Sequence, residues 1–284
     1  MSPESAPSRE LDRSVSRAPT SKASLPNGPD FLTLAGIHLR GLWREFPIAW
    51  IAFGGFALLL PAITLLYRGE SMDPMDLSAS IMSIVILVSI LGFLTIAIAF
   101  LWPEAVWRNL PPGSRSVMDS LPATRRAHRM ARVAAGLTLP IVMALSIALT
   151  VGLLRTNPGF EALPAGGMGL GGEGSGVVGL LIALGSLTGA YLLSSALAIR
   201  FGRPVLALFM IVAGGTLLIF VFVIAGWEDG ARALQQGLFL GEWAPGRTLL
   251  LAPSAQPDDL GPMLLWLGAF LALCAYWAGR YDRA

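Results

Sequence analysis

Arg125, His128, Arg129 and Arg132 recur at i, i+3, i+4 and i+7, so a helix would carry all four on one face. Cations in a helix's first turn oppose its dipole, at about 0.3–1 kcal/mol each. The pattern therefore asks for an anion: phospholipid headgroups, or an acidic docking surface on a partner protein. Thr124 stands where a side-chain N-cap belongs. Pro122 stops a short preceding helix whose apolar face is Val117, Met118 and Leu121. This is recognition chemistry; no bond-making group is organised by it.

Other chemistries are pruned by what the chain lacks. His38 and His128 are its two histidines, 90 positions apart and outside any HExxH motif, so a metal site is not expected. Cys274 is the single cysteine, which excludes an intramolecular disulfide or a thiolate cluster and reads as packing. Walker A is absent, and the one lysine is Lys22, so the chain does not cradle ATP by that mechanism. Residues 169–174 match GxGxxG, but no strand precedes them and the stretch reads as a flexible linker. An enzyme built on this chain would have to work at an interface, with Glu104, Asp119 and His128 as its candidates.

The elements that must position these residues are apolar runs long enough to cross a bilayer. They are 46–67, 79–102, 134–154, 176–199, 204–226 and 260–279, and none contains Asp, Glu, Lys, Arg or His. About 20 such residues span the hydrocarbon core as a helix, and continuous runs of this length are unlike the alternating strands of a barrel. The chain is 54% hydrophobic and 13% charged, against about 25% charged for an ordinary soluble domain. The expected fold is all-α and polytopic, with six transmembrane helices. Uncharged spans argue against an ion-coupled transporter or proton pump.

Sidedness follows from the cations. With both termini cytoplasmic, the outer loops hold Arg68, Arg155, Arg232 and Arg247, leaving 16 of the 20 Lys and Arg residues inside. The net charge of +2 thus hides two charged surfaces, and nucleic acid is not an expected partner. Membrane lipid is. Residues 1–29, rich in Ser, Pro and Ala, read as a disordered cytoplasmic tail ahead of a membrane domain over 30–284. Between them, Phe31, Leu32, Leu39, Leu42, Trp43 and Phe46 share one sector at 100° per residue, with Thr33, Arg40 and Arg44 opposite. That pattern predicts an interfacial amphipathic helix leading into the first span. Gly185 and Gly189 form a GxxxG for close helix packing, within the chain or between subunits. The 227–259 connection contains an apolar stretch at 233–240 that suits a short outer helix or a re-entrant hairpin.

The stretch Asp119-Ser120-Leu121-Pro122-Ala123-Thr124-Arg125-Arg126, running into the third span, resembles the SLP-x-(S/T)-R pattern of ABC type-2 permeases. These are the six-span membrane subunits of ATP-binding-cassette exporters. The interfacial helix, the short turn at 200–203 and the long connection before the last span agree with that layout over residues 31–284. The resemblance implies a permease of the prokaryotic cytoplasmic (inner) membrane, working with a second permease copy or paralogue and with ABC ATPase subunits. ATP and magnesium would then be bound in the partner and no cofactor or metal by this chain, which would not itself be an enzyme. The resemblance places Val117, Met118, Asp119, Ser120 and Leu121 in the ATPase groove, followed by Arg125, Arg126 and Arg129. It has Glu104, Trp107 and Arg108 brace the end of span two. A non-transporting membrane scaffold is the alternative, with an interfacial membrane enzyme behind it.

Overall fold

The computed structural model describes residues 30–66, 74–108, 123–155, 176–250 and 257–280. The described residues are almost entirely helical, and no strand occurs among them. In chain order the helices are α1 (Phe31–Glu45), α2 (Pro47–Leu66), α3 (Pro74–Arg108), α4 (Arg125–Arg155), α5 (Gly176–Phe201) and α6 (Pro204–Ile224). Then come α7 (Glu228–Gln235), a π turn (Gln236–Leu240), α8 (Pro245–Leu250), a 3-10 turn (Pro257–Asp259) and α9 (Leu260–Arg280). The tail before Asp30, the Val117–Leu121 segment and the glycine-rich 169–174 stretch lie outside the described residues.

Among the described residues four helices are long and apolar enough to cross a membrane: the 126–150 part of α4, the 180–201 part of α5, α6 and α9. The pair α1 and α2, bent by 99° at Phe46, makes a fifth if taken as one span. An integral membrane protein follows from these helices. The sharp bend separates α1 from α2, as the amphipathic pattern ahead of the first apolar run predicts.

Local sequence explains the helix ends. Gly202 takes φ +71° and its N–H reaches Ala198 O at 2.9 Å, closing α5 in the left-handed region where a Cβ is strained. Pro204 then opens α6 at a position whose N–H would be unpaired anyway. Gly226, at φ +74°, closes α6 with Trp227 N–H bonded back to Phe222 O at 2.8 Å. At the start of α4, Ala127 N–H donates to Thr124 Oγ1 at 3.2 Å, the side-chain cap that residue type predicts.

α4 and α5 occupy the middle. α4 packs against α1, α2, α3, α5 and α9, while α5 packs against α9, α3, α4 and α6. Small side chains let α5 sit there: Ser186, Ala190, Ser194, Ser195, Ala196 and Ala198 are all buried. Met263 of α9 seats on Gly185, a GxxxG contact made within the chain. Tyr191, fully buried, lays its hydroxyl over Gly136 of α4. Cys274 is buried in the same core and its thiol donates to Leu192 O at 3.0 Å. In contrast, only Pro204 of α6 is buried, and Phe209, Met210, Leu217 and Phe220 are exposed.

Two prolines inside helices leave carbonyls without their usual donors, and neighbouring helices supply replacements. Pro61 has no N–H for Ala57 O, which accepts from Ser146 Oγ of α4. Pro140 likewise frees Gly136 O, which accepts from Trp102 Nε1 of α3 at 3.0 Å. Beyond α6 the chain doubles back. α7 packs on α6, and a side chain at Gly215 would meet Leu238 at 3.2 Å. Gly215 lies nine residues before Ile224, about 14 Å along the helix, so the π turn folds back alongside α6 well inside its Ile224 end.

Candidate functional site

The structural neighbourhood of α4's first turns is the most chemically specific place among the described residues. Arg132 is 3% exposed. Its Nε and Nη2 both donate to Val106 O, at 3.0 and 2.6 Å, and Nη2 also meets Glu45 Oε2 at 3.3 Å. Val106 lies two residues before the end of α3, so its carbonyl is among those a helix C-terminus leaves unpaired. Arg129 does the same for α9: Nη1 donates at 2.9 Å to Ala278 O, two residues before that helix ends. Arg126 is exposed, and its Cδ is the atom a side chain at Gly279 would meet, at 3.4 Å.

These contacts answer the electrostatic question that α4 poses. Cations at its N-terminus are unfavourable for its own dipole, but Arg129 and Arg132 each reach the negative end of an antiparallel neighbour. The anion for Arg132 is therefore internal, Glu45 together with the α3 terminus, and Arg129 turns inward to α9. Of the face formed by residues 125, 128, 129 and 132, three side chains contact the chain's own helices; Arg125 contributes the first residue of α4.

α1 docks on this place through one stripe. Leu34, His38 and Leu42 are buried at i, i+4 and i+8, and Glu45 continues the stripe. His38 meets His128, with ring centroids 5.7 Å apart and planes at 83°. The chain's two histidines thus come together across 90 positions, though no described group of three His, Cys, Asp or Glu side chains is arranged to hold a metal. His38 Nε2 and both ring nitrogens of His128 are buried without a hydrogen-bond partner among the described residues. Burial, then the Arg132 guanidinium, then His128 push His38 down to about 4, so it is neutral at neutral pH.

Of the other residues singled out from the sequence, Glu104 and Trp107 are half-buried in the last turns of α3, and Trp107 packs on the core. Arg108 ends that helix. Val117, Met118, Asp119, Ser120 and Leu121 fall within residues 109–122, outside the described residues, between the α3 end and the α4 start that Arg132 joins. Glu45, His38 and Val106 O are the participants that sequence reasoning missed. The i, i+4, i+8 stripe Leu34–His38–Leu42 could have flagged His38 and Glu45; nothing in the sequence marks Val106 O. Chemically the cluster is a brace: it holds α1, α3 and α4 in fixed relation and offers no nucleophile paired with a base. No family model, curated protein or solved structure matches the chain.

Proposed function

We propose that this chain is the six-span permease subunit of an ATP-driven exporter, powered by a separate cytoplasmic ATPase. The spans are α2, α3, α4, α5, α6 and α9, with α1 in the inner interface and both termini cytoplasmic. The observation that carries the reading is the double contact of Arg132 with Val106 O and Glu45. It fastens together the two helix ends that flank residues 109–122 and ties both to α1.

Because Arg132 joins the two helix ends, a pull on either end of that segment is shared by α3 and α4. In the proposed mechanism Val117, Met118, Asp119, Ser120 and Leu121 dock on the ATPase, with Arg125 beside them. ATP binding draws two ATPase subunits together, and the frame passes that motion to the bundle. Uncharged spans suit an apolar or amphipathic substrate. Sidedness has its own support: the arginine-rich ends of α4, α5 and α9 gather together, as in the Arg129–Ala278 bond and the Phe201–Trp277 ring contact at 6.2 Å.

The test is affinity purification of the tagged full-length chain from its native membrane in mild detergent. Recovery of a soluble Walker A ATPase, lost on Leu121→Asp, is expected. A stable chain that brings down no ATPase removes the proposal and leaves the scaffold reading.

A further inference from the structure

Around its circumference α1 divides into three sectors. Leu34, His38, Leu42 and Glu45 face the bundle. A flank beside them carries Leu32, 80% exposed, and Trp43, 55% exposed, with Leu39 between them partly packed on the core. Trp43 meets Trp50 of α2, with ring centroids 5.4 Å apart and planes tilted by 32°, so this flank runs around the bend onto α2, where Ile48 and Ile51 are also exposed. The third sector holds Arg40, Thr33 and Arg44, all exposed.

Arg40 and Arg44 are one turn apart, and neither forms an ion pair with a described residue. Like charges at i, i+4 repel, and no carboxylate on α1 relieves them: Glu45 is engaged with Arg132. The apolar flank beside them is continuous with the lipid-facing surface of α2, which fixes the depth of the arginines at the polar boundary of the bilayer. The chemistry suited to two guanidiniums at that depth is a phosphodiester with net negative charge.

We infer that Arg40 and Arg44 form a recognition site for an anionic phospholipid headgroup, held at headgroup depth by Trp43 and Leu32. The site does not depend on the transport reading, since it needs only α1 and a bilayer. Its consequence is a preference for anionic over zwitterionic lipid.

The test is native mass spectrometry of the full-length chain released from bilayers of mixed phosphatidylglycerol and phosphatidylcholine. Wild type should retain phosphatidylglycerol selectively. Arg40→Gln/Arg44→Gln should lower that selectivity on the order of tenfold, given the attraction each basic residue feels near an anionic surface. Arg40→Lys/Arg44→Lys, which keeps the charge, should retain most of it, and Arg232→Gln on the opposite end should change nothing. Unaltered selectivity in the double Gln variant overturns the inference. So does displacement of the lipid by inorganic phosphate, which would assign the pair to a soluble anion. A crosslink from position 40 or 44 to a protein, with lipid selectivity unmoved, would assign the sector to a protein partner instead.

Discussion

Trp102 donates its indole N–H to Gly136 O at 3.0 Å, the same carbonyl that Pro140 deprives of its helical donor. The bond joins α3 to α4 inside the core, where an unsatisfied carbonyl costs about 1–3 kcal/mol. Trp102→Phe should therefore lower stability by about that amount beyond the packing change. Pro140→Ala restores the intrahelical bond and should cancel part of the loss. A double-mutant cycle by thermal unfolding in detergent checks this, and strictly additive effects would contradict the pairing.

Arg132 is the most exacting residue in the brace. Arg132→Met leaves Glu45 and Val106 O without their partner and should destabilise the chain by about 3–5 kcal/mol, as breaking buried pairs does. Glu45→Gln keeps an acceptor for the guanidinium and should cost less. Unfolding midpoints of the two variants decide this: an order reversed, or no loss in either, would show that the brace does not hold the helices.

Stability should fall on acidification through His38. Its folded value, about 4, lies below the ordinary 6.5, so the unfolded chain binds the proton more readily. The contribution is fully present above pH 6.5 and is lost as pH drops from 6.5 toward 4. Arg132 and His128, which face His38, both oppose its protonation. Comparing melting midpoints at pH 7.5 and 5 for wild type and His38→Phe should show a steeper decline in wild type. Equal slopes would contradict the assignment.

Gly136 is the cradle for Tyr191. A methyl group there meets the Tyr191 hydroxyl and, at 3.4 Å, Val106 Cγ2. Both neighbours are fully buried. Gly136→Ala should cost about 1–3 kcal/mol by overpacking, despite alanine's better helix propensity. Thermal unfolding reads this directly; a stabilised variant would mean that α4 and α5 separate more freely than their packing indicates.

The helices over the apolar runs, the short turn at 200–203 and Thr124 as a cap were legible because each is a local signal. The docking stripe of α1 was not. Grouping Phe31, Leu32, Leu39, Leu42, Trp43 and Phe46 by hydrophobicity selected a sector in which Leu42 is buried, while Phe31, Leu32 and Trp43 are exposed. His38, polar by type, sits at the middle of the stripe that packs on the bundle, and its partner lies 90 residues away. The arginine face was misread for a related reason. The acceptors of Arg129 and Arg132 are backbone carbonyls at the ends of α9 and α3, which no residue type announces. Ser146 and Trp102 could not be matched to the prolines either, since the freed carbonyls belong to helices whose packing only the fold reveals.

The central proposal rests on residues 117–121 meeting an ATPase at the cytoplasmic face. A photocrosslinking side chain placed at Leu121 of the otherwise intact chain, activated in native membranes, tests it most directly. The account predicts one dominant adduct, to a soluble nucleotide-binding protein with a Walker A sequence. Adducts to lipid alone, or labelling of position 121 by a membrane-impermeant reagent from outside, would contradict it.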